Sequence, residues 1–194
     1  MAITEYGPIS WERIIGAAND VRRRLTRAVN ALQSNEIPYA VIGGNCVAAW
    51  VRRHGQGGER GTPNVDVLVD RRFLCAAAAA LLEEGFQQTA EPYWFLEAAD
   101  DGTRQRIRIF VAEERVKSTD LLPLPATSRS VEDEIGRIIA LDALAEMKLS
   151  SYRTIDRVHL RDMIDVGLID ETWIDRIPPL LRHRLRETLD DPDG

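Results

Sequence analysis

Two hydrophobic rhythms alternate along the chain. Apolar residues Ile14, Ala18, Val21, Leu25, Ala28 and Leu32 recur at steps of three and four. That spacing predicts an amphipathic helix over 10–34, with Ser10 as its N-cap and the run RRRLTR on its solvated face. Asn35-Glu-Ile-Pro38 breaks this helix, and the apolar run Tyr39-Ala-Val-Ile42 reads as a short buried strand ending at a tight Gly43-Gly44 turn. A helix is expected over 45–54, a glycine-rich loop over 55–61 and a second buried strand over 65–69. Residues 71–84 carry five successive alanines and predict a helix closed by Gly85.

Further on, the segments 93–98 and 105–112 flank Asp100-Asp101-Gly102, a turn signal that makes them a hairpin. Pro123 and Pro125 mark a linker. Helical character then returns over 141–151, 158–169 and 172–189, with Pro178-Pro179 interrupting the last stretch. The expected fold is therefore α+β: a mixed β-sheet with flanking helices over 10–120, followed by a C-terminal helical region over 130–190 packed on that core.

Composition narrows the classes of function. The 194 residues are 44% hydrophobic, enough for a buried core. A net charge of −6 and a pI near 5.2 argue against general nucleic-acid binding and against an anionic membrane surface as partner. No stretch reaches the roughly 18 apolar residues of a membrane span, and the N-terminal MAITEYGPISWER lacks the basic and apolar regions of a signal peptide, so a cytoplasmic location is expected. Cys46 and Cys75 lie in apolar helical segments and read as buried small hydrophobes rather than as a disulfide.

The chemistry concentrates around Gly43-Gly44 and the stretch Arg60-Gly-Thr-Pro-Asn-Val-Asp66. A strand, a glycine turn, a helix and a second strand with polar residues two apart can form a phosphate and metal site. The glycines allow close approach of the backbone, the helix start supplies N–H donors, and alternate residues on the strand share one face. The order IGG, then R-x-T-x-[D/N]-x-D before an apolar strand, resembles the nucleotidyltransferase fold of the DNA polymerase beta superfamily. Its small prokaryotic members, including toxin components of abortive-infection systems, are the nearest in pattern. The blocks LAEMKLSSYR and HLRDMIDVGL are similar to the helical segment of that family, and the resemblance spans about residues 20 to 170.

The resemblance implies a nucleotide-binding site with Gly43, Gly44 and Asn45 cradling phosphates, and with Arg60, Thr62 and Lys148 supplying further contacts. It implies Mg²⁺ as cofactor, with Asp66 and Asn64 as metal ligands and catalytic residues. NTP or another phosphate-bearing small molecule is the implied partner, with a protein as a further one. Two of the three carboxylates of the family pattern are replaced here. The first falls on Asn64, whose amide brings no negative charge, and the third is matched by Arg108, a cation. Arg106 is no better match, and Glu97 or Glu113 fits only with a large shift of register. Two readings therefore stand side by side: a protein degenerate at its metal site that binds a phosphate ligand through arginine, and an active Mg²⁺-dependent transferase of NMP to a protein, RNA or small-molecule hydroxyl.

Plainer roles exist for the same residues. Gly43-Gly44 can be a simple strand-to-helix turn, Arg60 and Thr62 can order a loop, and Asp162 and Asp165 are expected to pair with Arg157 and Arg161 along their helix. GQGGERGT lacks the lysine of a phosphate-binding loop. Arg153 and His159 have a spacing known from some helical ribonucleases but sit in a segment better explained otherwise, and His54 and His183 lack zinc-ligand spacing.

Overall fold

Two apolar runs, Tyr39–Ile42 (β1) and Val65–Val69 (β2), are buried at every position, so both faces of these strands are covered. They form the middle of the sheet in the computed structural model, which describes residues 11–55, 62–97 and 106–191. Ser10, Arg60, most of the glycine-rich loop and the Asp100-Asp101-Gly102 turn lie outside those residues.

The remaining strands are Phe86–Gln88 (β3), Trp94–Glu97 (β4), Ile107–Val111 (β5), Ser130–Asp133 (β6) and Gly136–Ile139 (β7). The sheet runs β3-β4-β5-β2-β1-β7-β6. β5 lies parallel to β2 and β7 parallel to β1, while the other four pairings are antiparallel. The expected hairpin over 93–112 is present as the antiparallel pair β4 and β5. The helices are Trp11–Ser34 (α1), Gly43–Arg53 (α2), Leu74–Glu83 (α3), Leu141–Ser151 (α4), Thr154–Asp165 (α5) and Arg182–Asp190 (α6). α1 packs with α3, whereas α2 packs with α4 and α5. The fold is α+β with a mixed sheet, as the hydrophobic rhythm predicts.

Several expectations need correction. Residues 130–139, expected from sequence to belong to the C-terminal helical region, form the β6–β7 hairpin instead. Gly136 turns it at φ +104, where an added Cβ would meet the Tyr39 hydroxyl at 2.5 Å and Val29 at 2.7 Å, so no other residue fits without displacement. Ile138 and Ile139 are then fully buried, and Ile138 pairs with Val41. The acidic VEDE run hides this strand from a hydrophobicity scan.

The RRRLTR run is not simply a solvated face. Arg24 is only 3% exposed and donates to the Glu97 carboxylate at 3.1 Å and the Pro63 carbonyl at 3.4 Å. Arg27 bridges Glu84 at 3.0 Å and Glu97 at 2.7 Å. Glu97 is thus held by α1. Cys75 is exposed, because α3 buries Leu74, Ala77, Ala80 and Leu81 and position 75 falls off that stripe; Cys46 is buried, and both thiols are free. α2 begins at Gly43 rather than after the glycine pair, and α5 begins at Thr154 rather than at 158. Past it, Pro178 separates a 3₁₀ turn over Glu171–Asp175 from a second one, Pro179–Leu181, that leads into α6. Among the described residues no helix is long and apolar enough to cross a membrane.

Candidate functional site

Strand register builds one wall of a cleft. Antiparallel pairing sets Ile42 opposite Asp66, so the chain leaving β1 passes directly beside the Asp66 carboxylate. Gly43 takes φ +70, and a Cβ there would lie 2.5 Å from Asp66 Oδ2. A Cβ on Gly44 would lie 2.9 Å from the Thr62 side chain. The glycine pair is therefore required by two neighbours that press against the start of α2, whatever else it does. No side chain caps this end of α2, since position 42 is isoleucine.

Parallel pairing on the other side sets Arg108 of β5 next to Asp66. The guanidinium grips the carboxylate with two bonds, Nε to Oδ1 at 2.6 Å and Nη2 to Oδ2 at 2.8 Å. The rings of Trp94 and Phe110 lie 5.7 and 5.6 Å from its centre and fix its plane. This fork-to-carboxylate geometry is the strongest form of a charge-assisted pair, and it leaves Nη1 out of the contact. Asn64, one alternation earlier, accepts the Arg106 backbone N–H on its amide oxygen at 3.2 Å, while its backbone carbonyl accepts Asn45 Nδ2 at 2.8 Å. Asn64 and Asn45 thus tie β2 to β5 and α2.

These residues do not fit a divalent metal ion. Both Asp66 oxygens are taken by a cation, Asn64 Oδ1 is taken by a backbone donor, and among the described residues no three His, Cys, Asp or Glu side chains converge. Glu97 is bound by α1, and Glu113 lines a different cavity, about 630 Å³, beyond the opposite end of β1.

α4 and α5 supply the facing wall. Asp156, with a side chain only 1% exposed, accepts Lys148 Nζ at 3.1 Å, Ser151 Oγ at 2.7 Å and Arg153 Nε at 2.8 Å. It also accepts the Arg153 backbone N–H at 3.2 Å, which closes the first turn of α5. Burial pushes this carboxyl upward, but Lys148, Arg153 and Ser151 outweigh it and hold it down at about 2. Arg153 is raised, chiefly by its hydrogen bond to Asp156, with Asp120 and Asp66 contributing at longer range. Lys148 is thus a buried, site-facing lysine whose charge is balanced from behind.

The two walls enclose a cleft of about 760 Å³, within the range of small-molecule sites. Of the residues expected from sequence, Gly43, Gly44, Thr62, Asn64, Asp66, Arg108 and Lys148 line it; Asn45 braces Asn64 instead, and Arg60 lies outside the described residues. Arg153, Asp156, Lys117 and Asp120 line it too and were not expected. An aspartate three residues into a helix is the sequence signal for Asp156, but nothing local says that its backbone cap is shared with a lysine one helix earlier. His159 also lines the cleft. Arg161 bonds the Thr188 carbonyl at 2.6 Å and Arg157 lies over the Tyr152 ring, so each arginine reaches beyond its own helix turn.

No protein-family model and no curated protein matches the sequence. Solved structures do match its fold. A solution structure of the antibiotic-resistance factor ANT(2'')-Ia, an aminoglycoside nucleotidyltransferase, superposes with a TM-score of 0.56 at 11% identity, covering 88% of this chain and 93% of that one. JHP933 from Helicobacter pylori gives a TM-score of 0.52 at 16% identity, covering 96% of this chain and 78% of the other. At these identities the likeness speaks to architecture alone, and by that measure the chain has a nucleotidyltransferase fold.

Proposed function

We propose that this nucleotidyltransferase-like protein binds a nucleotide or similar phosphate-bearing small molecule without the metal-dependent transfer chemistry of an intact site. One observation carries this reading: Arg108 occupies both oxygens of Asp66, the position at which the resemblance calls for metal binding. A guanidinium fixed there by Trp94 and Phe110 already supplies the positive charge that Mg²⁺ would bring, and Nη1 is not used by the pair. Lys148 adds a second cation from the opposite wall, with Nζ donors beyond the one given to Asp156. Gly43 and Gly44 line the cleft at the uncapped start of α2, where backbone N–H groups can meet an anion. Mg²⁺ coordination at Asp66 would first require Arg108 to leave.

The test is thermal stability against nucleotides, in EDTA and in Mg²⁺. A ligand at about 100 times its dissociation constant adds roughly 2.7 kcal/mol of stability. The expected result is a rise in Tm that survives EDTA and is lost in Arg108→Met. Efficient Mg²⁺-dependent labelling by NTP, abolished in Asp66→Ala, would replace this reading with that of an active transferase.

A further inference from the structure

Resting on that reading, we infer that the cleft takes a nucleoside monophosphate, a ring carrying one phosphate, in preference to a triphosphate. The argument begins with charge. Among the described residues lining the cleft, the cations are Arg108, Lys117, Lys148 and Arg153, and the anions are Asp66, Asp120 and Asp156. Four positive and three negative charges leave an excess of one. The excess is not spread evenly, because Arg108 is matched by Asp66, and Asp156 is shared by Lys148 and Arg153.

A phosphomonoester carries about −1.5 to −2 at neutral pH, close to what one excess cation and the unused guanidinium and ammonium donors can accept. Each further phosphate adds roughly one more negative charge. With no metal to neutralise it, that charge would share the cleft with Asp66, Asp120 and Asp156. Like charges a few ångströms apart in a partly dehydrated site repel strongly, so the chain of phosphates is selected against rather than merely left unbound.

Shape points the same way. Above the polar floor stand Val116, Leu122, Pro123 and Ile155, all lining the cleft. Val116 and Ile155 are 49% and 51% exposed, two of the four large hydrophobic side chains left in water among the described residues. Their apolar surface at the mouth suits the face of a base, whose burial there removes both from water. A ligand with one anion at the floor and one flat ring at the rim matches both halves.

Titration calorimetry of the full chain in EDTA at fixed salt tests this with AMP, ADP, ATP and ribose 5-phosphate. Affinity is expected to fall from AMP to ADP to ATP, with ATP weaker by about tenfold or more. Ribose 5-phosphate is expected to bind more weakly than AMP; equal binding would overturn the role of the apolar rim and hence the nucleoside assignment. Tighter binding of ATP than AMP without metal would overturn the charge argument while leaving phosphate binding intact. Failure of all four to bind would remove the phosphate-ligand reading itself. Asp120→Asn keeps the side-chain oxygen that accepts the Lys117 N–H and raises the excess to two. It is expected to narrow the AMP-to-ATP ratio by roughly threefold. An unchanged ratio in that variant would also overturn the inference.

Discussion

The pairing of Asp66 with Arg108 can be measured by a double-mutant cycle on stability. Arg108→Met keeps much of the side-chain length, Asp66→Asn keeps the shape, and the double variant closes the cycle. Two unit charges about 4 Å apart interact by about 4 kcal/mol at an effective dielectric of 20. Water reaches this pair, since the side chains are 26% and 13% exposed, so roughly half of that attraction should survive screening. The expected coupling is therefore about 2 kcal/mol. Arg108→Met alone should be worse than that figure suggests, because the carboxylate loses both of its bonds in a largely buried setting and Trp94 and Phe110 lose a packed neighbour. A loss of about 3 kcal/mol corresponds to a fall in Tm of roughly 6–12 °C for a chain of this size. Urea unfolding followed by tryptophan fluorescence gives all four free energies. A coupling within about 0.5 kcal/mol of zero would refute the pairing, and with it the claim that Asp66 is occupied.

Two further outcomes follow from the same walls. Combining Asn64→Asp with Arg108→Asp restores two carboxylates beside Asp66 and removes one cation, so the variant should bind Mn²⁺ far more tightly than the parent in calorimetry; equal weak binding by both would show that the strand positions do not converge on an ion. Asp156 should make the protein acid-sensitive in a defined window. Its carboxyl lies at about 2 in the folded chain against 3.8 when unperturbed, so its stabilisation is complete above pH 4 and disappears as pH falls towards 2. The difference amounts to about 2 kcal/mol, and Asp156→Asn should remove it at neutral pH and flatten the stability profile between pH 4 and 2. An unchanged profile in that variant would contradict the network drawn around Lys148.

The central strands, the glycine pair and the α+β class were all legible in the sequence because each is written in a local pattern. Tyr39–Ile42 and Val65–Val69 are continuous apolar runs bounded by breakers, and such runs have few alternatives to a buried strand. The β6–β7 hairpin was not legible for the converse reason. Its edge strand is polar, its turn depends on Gly136 lodging against Tyr39 and Val29, and its register depends on Val41, nearly a hundred residues earlier. Arg24 was misjudged similarly, since a charged residue on an amphipathic helix reads as solvated unless its partner is known, and that partner, Glu97, comes from β4.

The site divides along the same line. Thr62, Asn64 and Asp66 lie within a short span whose alternation already implies one face, while antiparallel pairing with β1 brings Gly43 to it and parallel pairing with β5 brings Arg108. Asp156 has no such periodicity to announce it. Its role arises from three-dimensional coincidence: the first turn of α5 needs an acceptor for the Arg153 N–H, and the last turn of α4 places Lys148 within reach of the same carboxylate. One buried acid therefore both starts a helix and sets the charge of the facing wall. Replacing either Lys148 or Arg153 would leave Asp156 with one cation still bound, whereas replacing Asp156 would leave a buried lysine without its counter-charge. The asymmetry means that the acid, although it faces a ligand cleft lined by cations, is the residue on which that wall depends.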